Sequence, residues 1–189
     1  MKTFKRFLGI LTAVAVIAVA FAPQAQARKK RDLKKEAIED LLREGNNAYE
    51  AGNYDDAFEY FEAAHKKGNL RATHNLAVLY AEGAGVDKSL TMAFKLHEKA
   101  AKKGNVDSMV DLGTMYKNGY GVKQDYKQAI KWLEKAAKQG NTDAMYLIGI
   151  CYYYGGFGIK KDLVKAREWV GKAASLGHET AINNLPKLQ

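Results

Sequence analysis

The feature that most constrains the fold of this chain is a pattern that repeats about every 36 residues. Three related strings follow one another along the sequence: NLAVLYAEGAGV, VDLGTMYKNGYGV and YLIGICYYYGGFGI. Tyr80, Tyr116 and Tyr152 fall 36 residues apart. A second series recurs at spacings of 36 and 37 residues: Gly104, Gly140 and Gly177. A fixed period of this length is typical of an array of stacked repeats and argues against a single globular core.

Within one repeat, apolar residues recur at three- and four-residue spacing in two blocks. In the second unit, Met109, Leu112 and Met115 form the first block, a Gly-Tyr-Gly triplet interrupts it, and Ala129 and Leu133 resume the period. This spacing predicts a helix, a loop and a second helix in each repeat. Small residues recur at matched positions of the two helices: Ala77 and Ala93, Gly113 and Ala129, Gly149 and Ala166. We expect the paired helices to approach closely there, with Tyr and Trp filling the space beside them.

The residues between the two helices predict caps and a turn. Ser89, Asp125 and Asp162 stand where the second helix needs an N-cap, and the recurring glycines stand where it needs a C-cap. The Gly-x-Gly triplets at residues 83–85, 119–121 and 156–158 invite comparison with phosphate-binding loops. Such loops follow a strand, whereas these triplets join two helices. We interpret them as turns in which glycine supplies a positive φ.

These residues resemble the Sel1-like repeat family, a branch of the tetratricopeptide-type α/α solenoids. The resemblance covers about residues 72–181 as three units, and its motifs recur in register: Leu/Ile-Gly/Ala before an apolar pair ending in Tyr, Gly-x-Gly-Val/Ile, and Lys-Ala-Ala-x-x-Gly. It implies an all-α, right-handed α/α solenoid of about four helix pairs plus a C-terminal capping helix. The unit upstream looks more like a plain tetratricopeptide repeat. The repeat domain at residues 36–189 then divides into approximate repeats and a cap: 37–71, 72–107, 108–143, 144–180 and 181–189.

The first 27 residues indicate a signal peptide. Three basic residues precede an apolar run of 16 residues at 7–22, and Ala25-Gln26-Ala27 fits the small-x-small cleavage pattern. The run is shorter than the ~20 residues that a spanning helix needs, which favours cleavage after Ala27 over an uncleaved anchor. The basic residues that follow favour the anchor instead, because they would hold that flank in the cytoplasm. We expect cleavage, and a periplasmic or secreted product without a stable membrane span.

The net charge of +9 does not indicate a nucleic-acid-binding protein. Residues 1–27 hold three bases and no acid, and residues 28–35 hold six bases and Asp32, which leaves about +1 for residues 36–189. A nucleic-acid-binding domain carries its basic patch on the folded surface, so that partner class is excluded. For the basic arm, Arg28 to Lys35, we favour a solvated, disordered segment. Contact with an anionic envelope surface, lipid or lipopolysaccharide, is the alternative.

The sequence predicts no catalytic, metal or cofactor site. Cys151 aligns with apolar residues of the other units and is expected in the core. Four histidines occupy different repeat positions, without the spacing of a metal site: His65, His74, His97 and His178. Some secreted members of the family are cysteine-rich proteins for which β-lactam binding or hydrolysis has been proposed. This chain lacks their paired cysteines and any Ser-x-x-Lys motif, so we predict that it is not an enzyme.

If the helix pairs stack as in the family, the first helix of each pair lines the concave face. The repeat register predicts the residues of a partner-binding surface there: Arg43, Asn47, His74, Asn75, Val110, Thr114, Lys117, Tyr146, Ile150, Tyr153 and Tyr154. This surface begins basic and amide-rich and ends in aromatic residues.

Both ends of this surface have competing interpretations. Arg43, Asn47 and Asn75 are similar to three positions of the carboxylate clamp by which some tetratricopeptide domains hold a peptide C-terminus. Where the clamp needs two further bases the chain has Asp107 and Asp111, which favours a merely polar face.

At the other end, Tyr153 and Tyr154 replace Lys117 and Asn118 of the preceding unit. They form either an exposed protein-binding patch, joined by Phe157, or a surface that the capping helix covers. We therefore predict a secreted scaffold that binds a protein or peptide. The alternative is an envelope module that binds peptidoglycan or another glycan by stacking sugars on this tyrosine patch.

The signal peptide predicts the N-terminus of the mature protein. N-terminal sequencing of the chain recovered with soluble periplasmic contents should begin at Arg28. An Ala27→Tyr variant, which places a bulky residue at the cleavage site, should be processed poorly. Intact residues 1–27 on the wild-type envelope form would contradict the cleavage prediction.

Overall fold

The computed structural model describes the backbone of residues 2–188 and the side chains of residues 24 and 26–188. Over these residues the chain forms helices joined by short loops, and its only β-type pairing there is an isolated antiparallel bridge between Gly156 and Ile159. The elements follow in this order: α1 (Lys2–Glu50), α2 (Tyr54–Lys66), α3 (Leu70–Glu82), α4 (Leu90–Lys102), α5 (Val106–Asn118), α6 (Tyr126–Ala137), α7 (Thr142–Tyr154), α8 (Leu163–Ser175), α9 (Glu179–Asn184) and the 3-10 helix η1 (Leu185–Leu188).

The chain divides into two compact units, Met1–Leu41 and Leu42–Gln189. The first unit consists of the N-terminal part of α1, which includes the basic arm. The expectation that this arm is disordered is wrong, because residues 28–35 are helical with exposed side chains. Lys, Arg and Leu are good helix formers, so the arm can continue the helix that follows it. The side chains of residues 7–22, the expected apolar run of the signal peptide, lie outside the described residues.

No helix among the described residues is both long enough and apolar enough to cross a membrane.

The second unit is a stack of helix pairs. Residues 42–50 of α1 pack on α2, where a Cβ atom added to Gly45 would lie 2.5 Å from the Phe61 ring. The pairs α3 with α4, α5 with α6 and α7 with α8 follow. Each second helix also packs on the first helix of the next pair, and α9 and η1 pack on α8. The predicted all-α solenoid of four helix pairs with a C-terminal capping helix is confirmed.

Small residues let the helices of one pair approach closely, as expected. A Cβ atom added to Gly113 would lie 2.6 Å from Leu133 and 3.3 Å from the Ala129 carbonyl oxygen. One added to Gly149 would lie 2.6 Å from Val170. Separations below 3.0 Å force neighbouring atoms to move, so any larger residue at these two positions must displace the Leu133 or Val170 side chain or the helix that carries it.

The repeated tyrosines connect consecutive pairs. Tyr116 on α5 meets the Phe94 ring on α4 edge to face, with ring centroids 5.3 Å apart, and Tyr80 on α3 meets Phe58 on α2 in the same way at 5.7 Å. Cys151 on α7 is fully buried, as predicted, and burial raises the pKa of its thiol to about 11. This thiol is therefore a core side chain and unreactive at neutral pH.

The predicted N-caps of the second helices are confirmed. The side chains of Ser89, Asp125 and Asp162 accept hydrogen bonds from backbone N–H groups three residues later, at 2.9–3.2 Å. The backbone N–H of each cap also donates to a tyrosine carbonyl of the preceding helix, which closes the loop. The first helices have N-caps too, which were not predicted. These are asparagines: Asn69, Asn105 and Asn141.

The Gly-x-Gly turns pack against the preceding helix pair. Gly121 has a φ of +67°, and a Cβ atom there would overlap the backbone carbonyl of Leu90 at the start of α4. Gly85 has the same φ and meets the carbonyl of Tyr54 at the start of α2. The turn interpretation of these two triplets is confirmed, and the close approach explains why the second glycine recurs.

The third turn differs because it contains one more residue, with eight residues between α7 and α8 against seven in the other two loops. Gly155, Gly156, Phe157 and Gly158 all have positive φ values. The Phe157 carbonyl accepts a hydrogen bond from the Tyr126 N–H at 2.8 Å, so this loop too contacts the start of the second helix before it.

Two glycine variants separate the contribution of backbone conformation from that of the close approach. Gly140 has a φ of +88° but nothing within 4 Å of an added Cβ atom, so Gly140→Ala should cost about 1 kcal/mol of unfolding free energy through strain alone. Gly121→Ala adds a backbone clash and should cost at least about 2 kcal/mol. Urea denaturation measures both. Equal midpoints for the two variants would contradict the contact between Gly121 and Leu90.

Candidate binding surface on the first helices of the repeats

The first helices of the pairs meet along one side of the stack. Helices α5 and α7 contact each other directly. The Asn75 side-chain amide of α3 donates to the side-chain oxygen of Asn46 on α1 at 3.0 Å, and His74 Nδ1 lies 3.3 Å from Asp111 Oδ2 on α5. We call the side formed by residues 42–50 and by α3, α5 and α7 the inner surface.

A polar cleft of about 240 Å³ lies at the N-terminal end of the inner surface. Its lining combines amide, imidazole and aromatic groups: Asn46, Tyr49, Phe61, His74, Asn75 and Val78. The Tyr49 hydroxyl donates to Glu82 Oε2 at 2.9 Å, and this hydrogen bond raises the pKa of Tyr49. The cleft therefore combines hydrogen-bonding side chains with apolar groups of Phe61 and Val78.

The carboxylate-clamp similarity does not carry over to this cleft. The residue that meets Asn75 is Asn46, whereas the predicted Asn47 is exposed and does not line the cleft. Arg43 also lies outside the cleft lining, and its guanidinium is 3.5 Å from Glu44. Adjacent helical residues point about 100° apart, so an error of one residue in register changes which side chain faces the cleft.

An aromatic cleft of about 200 Å³ lies at the C-terminal end of the inner surface. Residues of α7, α8 and the cap line it: Tyr146, Ile150, Tyr153, Tyr154, Val170, Asn184, Lys187 and Leu188. The rings of Tyr153 and Tyr154 meet edge to face at 5.1 Å, and the Lys161 ammonium lies 5.3 Å from the centre of the Tyr153 ring. Tyr154 is 66% exposed.

The cap covers only part of this tyrosine group. Tyr146 stacks on His178 with ring centroids 4.9 Å apart, and its hydroxyl accepts a hydrogen bond from Asn184 at 2.9 Å. Tyr154 stays largely exposed. Phe157 packs on Tyr126 of the preceding pair at 5.2 Å and is not among the residues that line the cleft. The ring contact and the hydrogen bond of the cap thus hold Tyr146, whereas Tyr153 and Tyr154, for which the two interpretations were made, border a cleft that the cap helps to line.

Between the two clefts the inner surface carries half-buried side chains from α5. Val110 packs against the core cluster, and Thr114 is half-buried. The Lys117 ammonium donates to the side-chain oxygen of Asn118 at 2.8 Å. Six of the residues predicted for the partner-binding surface line one of the two clefts, and three lie between them on α5: His74, Asn75, Tyr146, Ile150, Tyr153 and Tyr154, then Val110, Thr114 and Lys117. Arg43 and Asn47 line neither cleft.

The structure also brings together two of the four histidines, although they occupy different repeat positions in the sequence. The rings of His74 on α3 and His97 on α4 lie 5.4 Å apart, and His97 Nδ1 is 3.6 Å from Asp111 Oδ2 on α5. Ser108 Oγ lies 3.4 Å from His74 Nδ1 and 3.5 Å from His97 Nδ1. Sequence spacing does not reveal this group, because positions from different parts of neighbouring repeats meet where α3, α4 and α5 pack together.

The burial of this group determines its protonation. His97 is 3% exposed, and burial, with a smaller contribution from the neighbouring His74, lowers its pKa to about 3. Burial also raises the pKa of Asp111. His97 is therefore a neutral imidazole at neutral pH, and one of its ring nitrogens is free to accept a hydrogen bond or bind a cation.

Comparison with known proteins identifies the repeat. The family model described as Sel1 repeat matches four successive segments: residues 41–69, 70–105, 106–141 and 142–178. Three of these begin at the first residue of α3, α5 or α7. The upstream unit, which looked more like a plain tetratricopeptide repeat, is matched as a Sel1 repeat as well.

Two solved structures are similar to the chain over most of its length. A Sel1 repeat protein from Oxalobacter formigenes is 35% identical over 76% of this chain and 58% of its own, with a TM-score of 0.68. The protein c5321, a protective antigen of uropathogenic Escherichia coli with an SLR fold, is 34% identical over 82% of this chain and 35% of its own, with a TM-score of 0.72. The chain thus spans less than two thirds of either. No curated protein matches it.

Four matched segments, each corresponding to one helix pair of the stack, show that this chain belongs to the Sel1 repeat family.

Proposed function

We propose that this protein is a non-catalytic scaffold that binds a protein partner through an extended peptide segment on its inner surface. The observation that carries the proposal is the pair of small clefts at the two ends of that surface, one polar and one aromatic. Its place of action in this proposal is the bacterial cell envelope, on the basis of the predicted signal peptide.

The size of the clefts favours peptide side chains over a small-molecule substrate. Their volumes of about 240 and about 200 Å³ lie below the ~300–1,000 Å³ of typical ligand pockets. A volume of this size accommodates one or two side chains. Two such clefts on one face suit a chain that places separate side chains into each.

The separation of the clefts sets the length of the bound segment. The polar cleft lies beside α3 and the aromatic cleft beside α7, two first helices further along the stack. Packed helices lie about 8–10 Å apart, and the polar cleft extends towards α1 while the aromatic cleft extends towards the cap, so the clefts are at least about 20 Å from each other. An extended chain rises ~3.3 Å per residue, so we expect at least about six residues between the two anchoring side chains.

The chemistry of the clefts indicates which side chains they take. Tyr153 and Tyr154 offer ring faces and edges for an apolar or aromatic side chain, and tyrosines lose little conformational entropy on binding. Lys187 lines the same cleft and Lys161 lies beside Tyr153, which favours an acidic residue next to that anchor. The amides around Asn46 and Asn75 suit a polar side chain or the peptide backbone.

A matched pair of variants tests the aromatic cleft. Peptides selected from a random library on the wild-type protein should share an apolar or aromatic anchor, and fluorescence polarisation should show weaker binding by a Tyr153→Ala, Tyr154→Ala double variant. We expect a loss of about tenfold or more, since each tyrosine removed from a binding hot spot costs roughly 1–2 kcal/mol. Tyr146 is left intact because it holds the cap through Asn184.

The control is Tyr60→Ala, which removes a tyrosine of similar chemistry from α2, outside both clefts. It should bind the selected peptides as the wild type does, and circular dichroism should show that all three proteins are folded. Failure to select any peptide, or equal binding by the double variant and the wild type, would overturn the proposal. Binding of soluble peptidoglycan fragments in place of peptides would do the same.

A further inference from the structure

We propose that His74, His97 and Asp111 form a binding site for a divalent transition-metal ion, with zinc as the best fit. One ligand atom from each of the three residues lies within 4.8 Å of the other two. The Asp111 Oδ2 atom is 3.3 Å from His74 Nδ1 and 3.6 Å from His97 Nδ1. The proposal rests on these contacts alone and does not depend on peptide binding by the inner surface.

The two distances from Asp111 are close to those between neighbouring ligand atoms of zinc. Zinc binds imidazole nitrogen at about 2.0–2.1 Å and carboxylate oxygen at about 2.0–2.2 Å, usually with tetrahedral geometry. Two ligand atoms of such a tetrahedron lie about 3.3–3.5 Å apart. The two distances from Asp111 therefore need only small side-chain adjustments to accommodate an ion.

The three ligands come from three different helices and are held by packing. His97 on α4 is 3% exposed, and the adjacent Ser108 on α5 is fully buried. His74 and Asp111 are more open, with side chains 20% and 40% exposed. His74 also lines the polar cleft, which gives an ion a route from solvent. A site with one buried ligand and two accessible ligands is preformed without being closed.

The types of ligand atom select the class of ion. Two imidazoles and one carboxylate suit zinc, cobalt and nickel, whereas calcium and magnesium prefer sites built from oxygen alone. The fourth coordination position falls to water or to the Ser108 hydroxyl, which lies 3.4–3.5 Å from both imidazole nitrogens. Three protein ligands and one exchangeable position bind a metal reversibly.

Metal titration of the untagged, chelator-treated protein tests the site. Isothermal titration calorimetry with zinc chloride should show one ion bound per chain, and cobalt chloride should produce the visible absorption of a four-coordinate complex. His74→Ala and Asp111→Asn should each weaken zinc binding by at least about tenfold, since ligand loss exceeds the 10–100-fold cost of disturbing outer-shell partners. His97 is left intact because its burial makes unfolding of a variant the expected result.

Two controls distinguish this site from general binding to surface groups. Asp56→Asn makes the same charge change at an exposed residue of α2, outside the cluster. His65→Gln removes a histidine of α2 that is not part of the cluster. Both should bind zinc as the wild type does, and zinc should raise the melting temperature of the wild type and both controls but not of His74→Ala. Absence of one-to-one binding, or equal losses in controls and ligand variants, would overturn the proposal.

Discussion

The interface between consecutive helix pairs is the interaction on which the rest of the repeat unit depends. A single pair of 13-residue helices cannot bury all of its apolar side chains, because one apolar face of the pair is not covered by either of its helices. Here the next pair covers that face. The rings of Phe94 and Tyr116 meet edge to face across the interface, and the glycine turn of one pair packs on the start of the second helix of the pair before it. The two clefts and the histidine group all lie where neighbouring helices meet.

Sequence periodicity predicted the fold because the residues that recur are those that form these interfaces. The tyrosine, glycine and N-cap positions recur in register, and each corresponds to a contact that every repeat makes again. The basic arm was the part of the backbone predicted wrongly. Charge density alone indicated disorder there, whereas good helix formers continuous with α1 extend the helix through residues 28–35.

The candidate surface was harder to predict because it depends on what differs between repeats. We predicted Asn47 for this surface, whereas the structure has Asn46 in contact with Asn75. The two positions differ by one residue in register, and the average repeat pattern does not distinguish them. The histidine group required knowledge of how α4 of one pair faces α5 of the next. Coverage of Tyr146 by Asn184 depends on how the cap ends. Helix α9 begins as a first helix does, with His178 in the place of Asn141, but it has six residues where α7 has 13.

The first two Gly-x-Gly turns pack on the start of the second helix of the preceding pair. This contact affects how the number of repeats can change during evolution. Gly85 meets Tyr54 as Gly121 meets Leu90, so one unit can follow another without any new kind of contact. Duplication or loss of an internal 36-residue segment would leave both new neighbours with surfaces that already fit. The last pair is different, since its longer loop contacts the start of α6 through Phe157 and a cap packs on α8. Evolutionary growth of the array is therefore easiest in its middle.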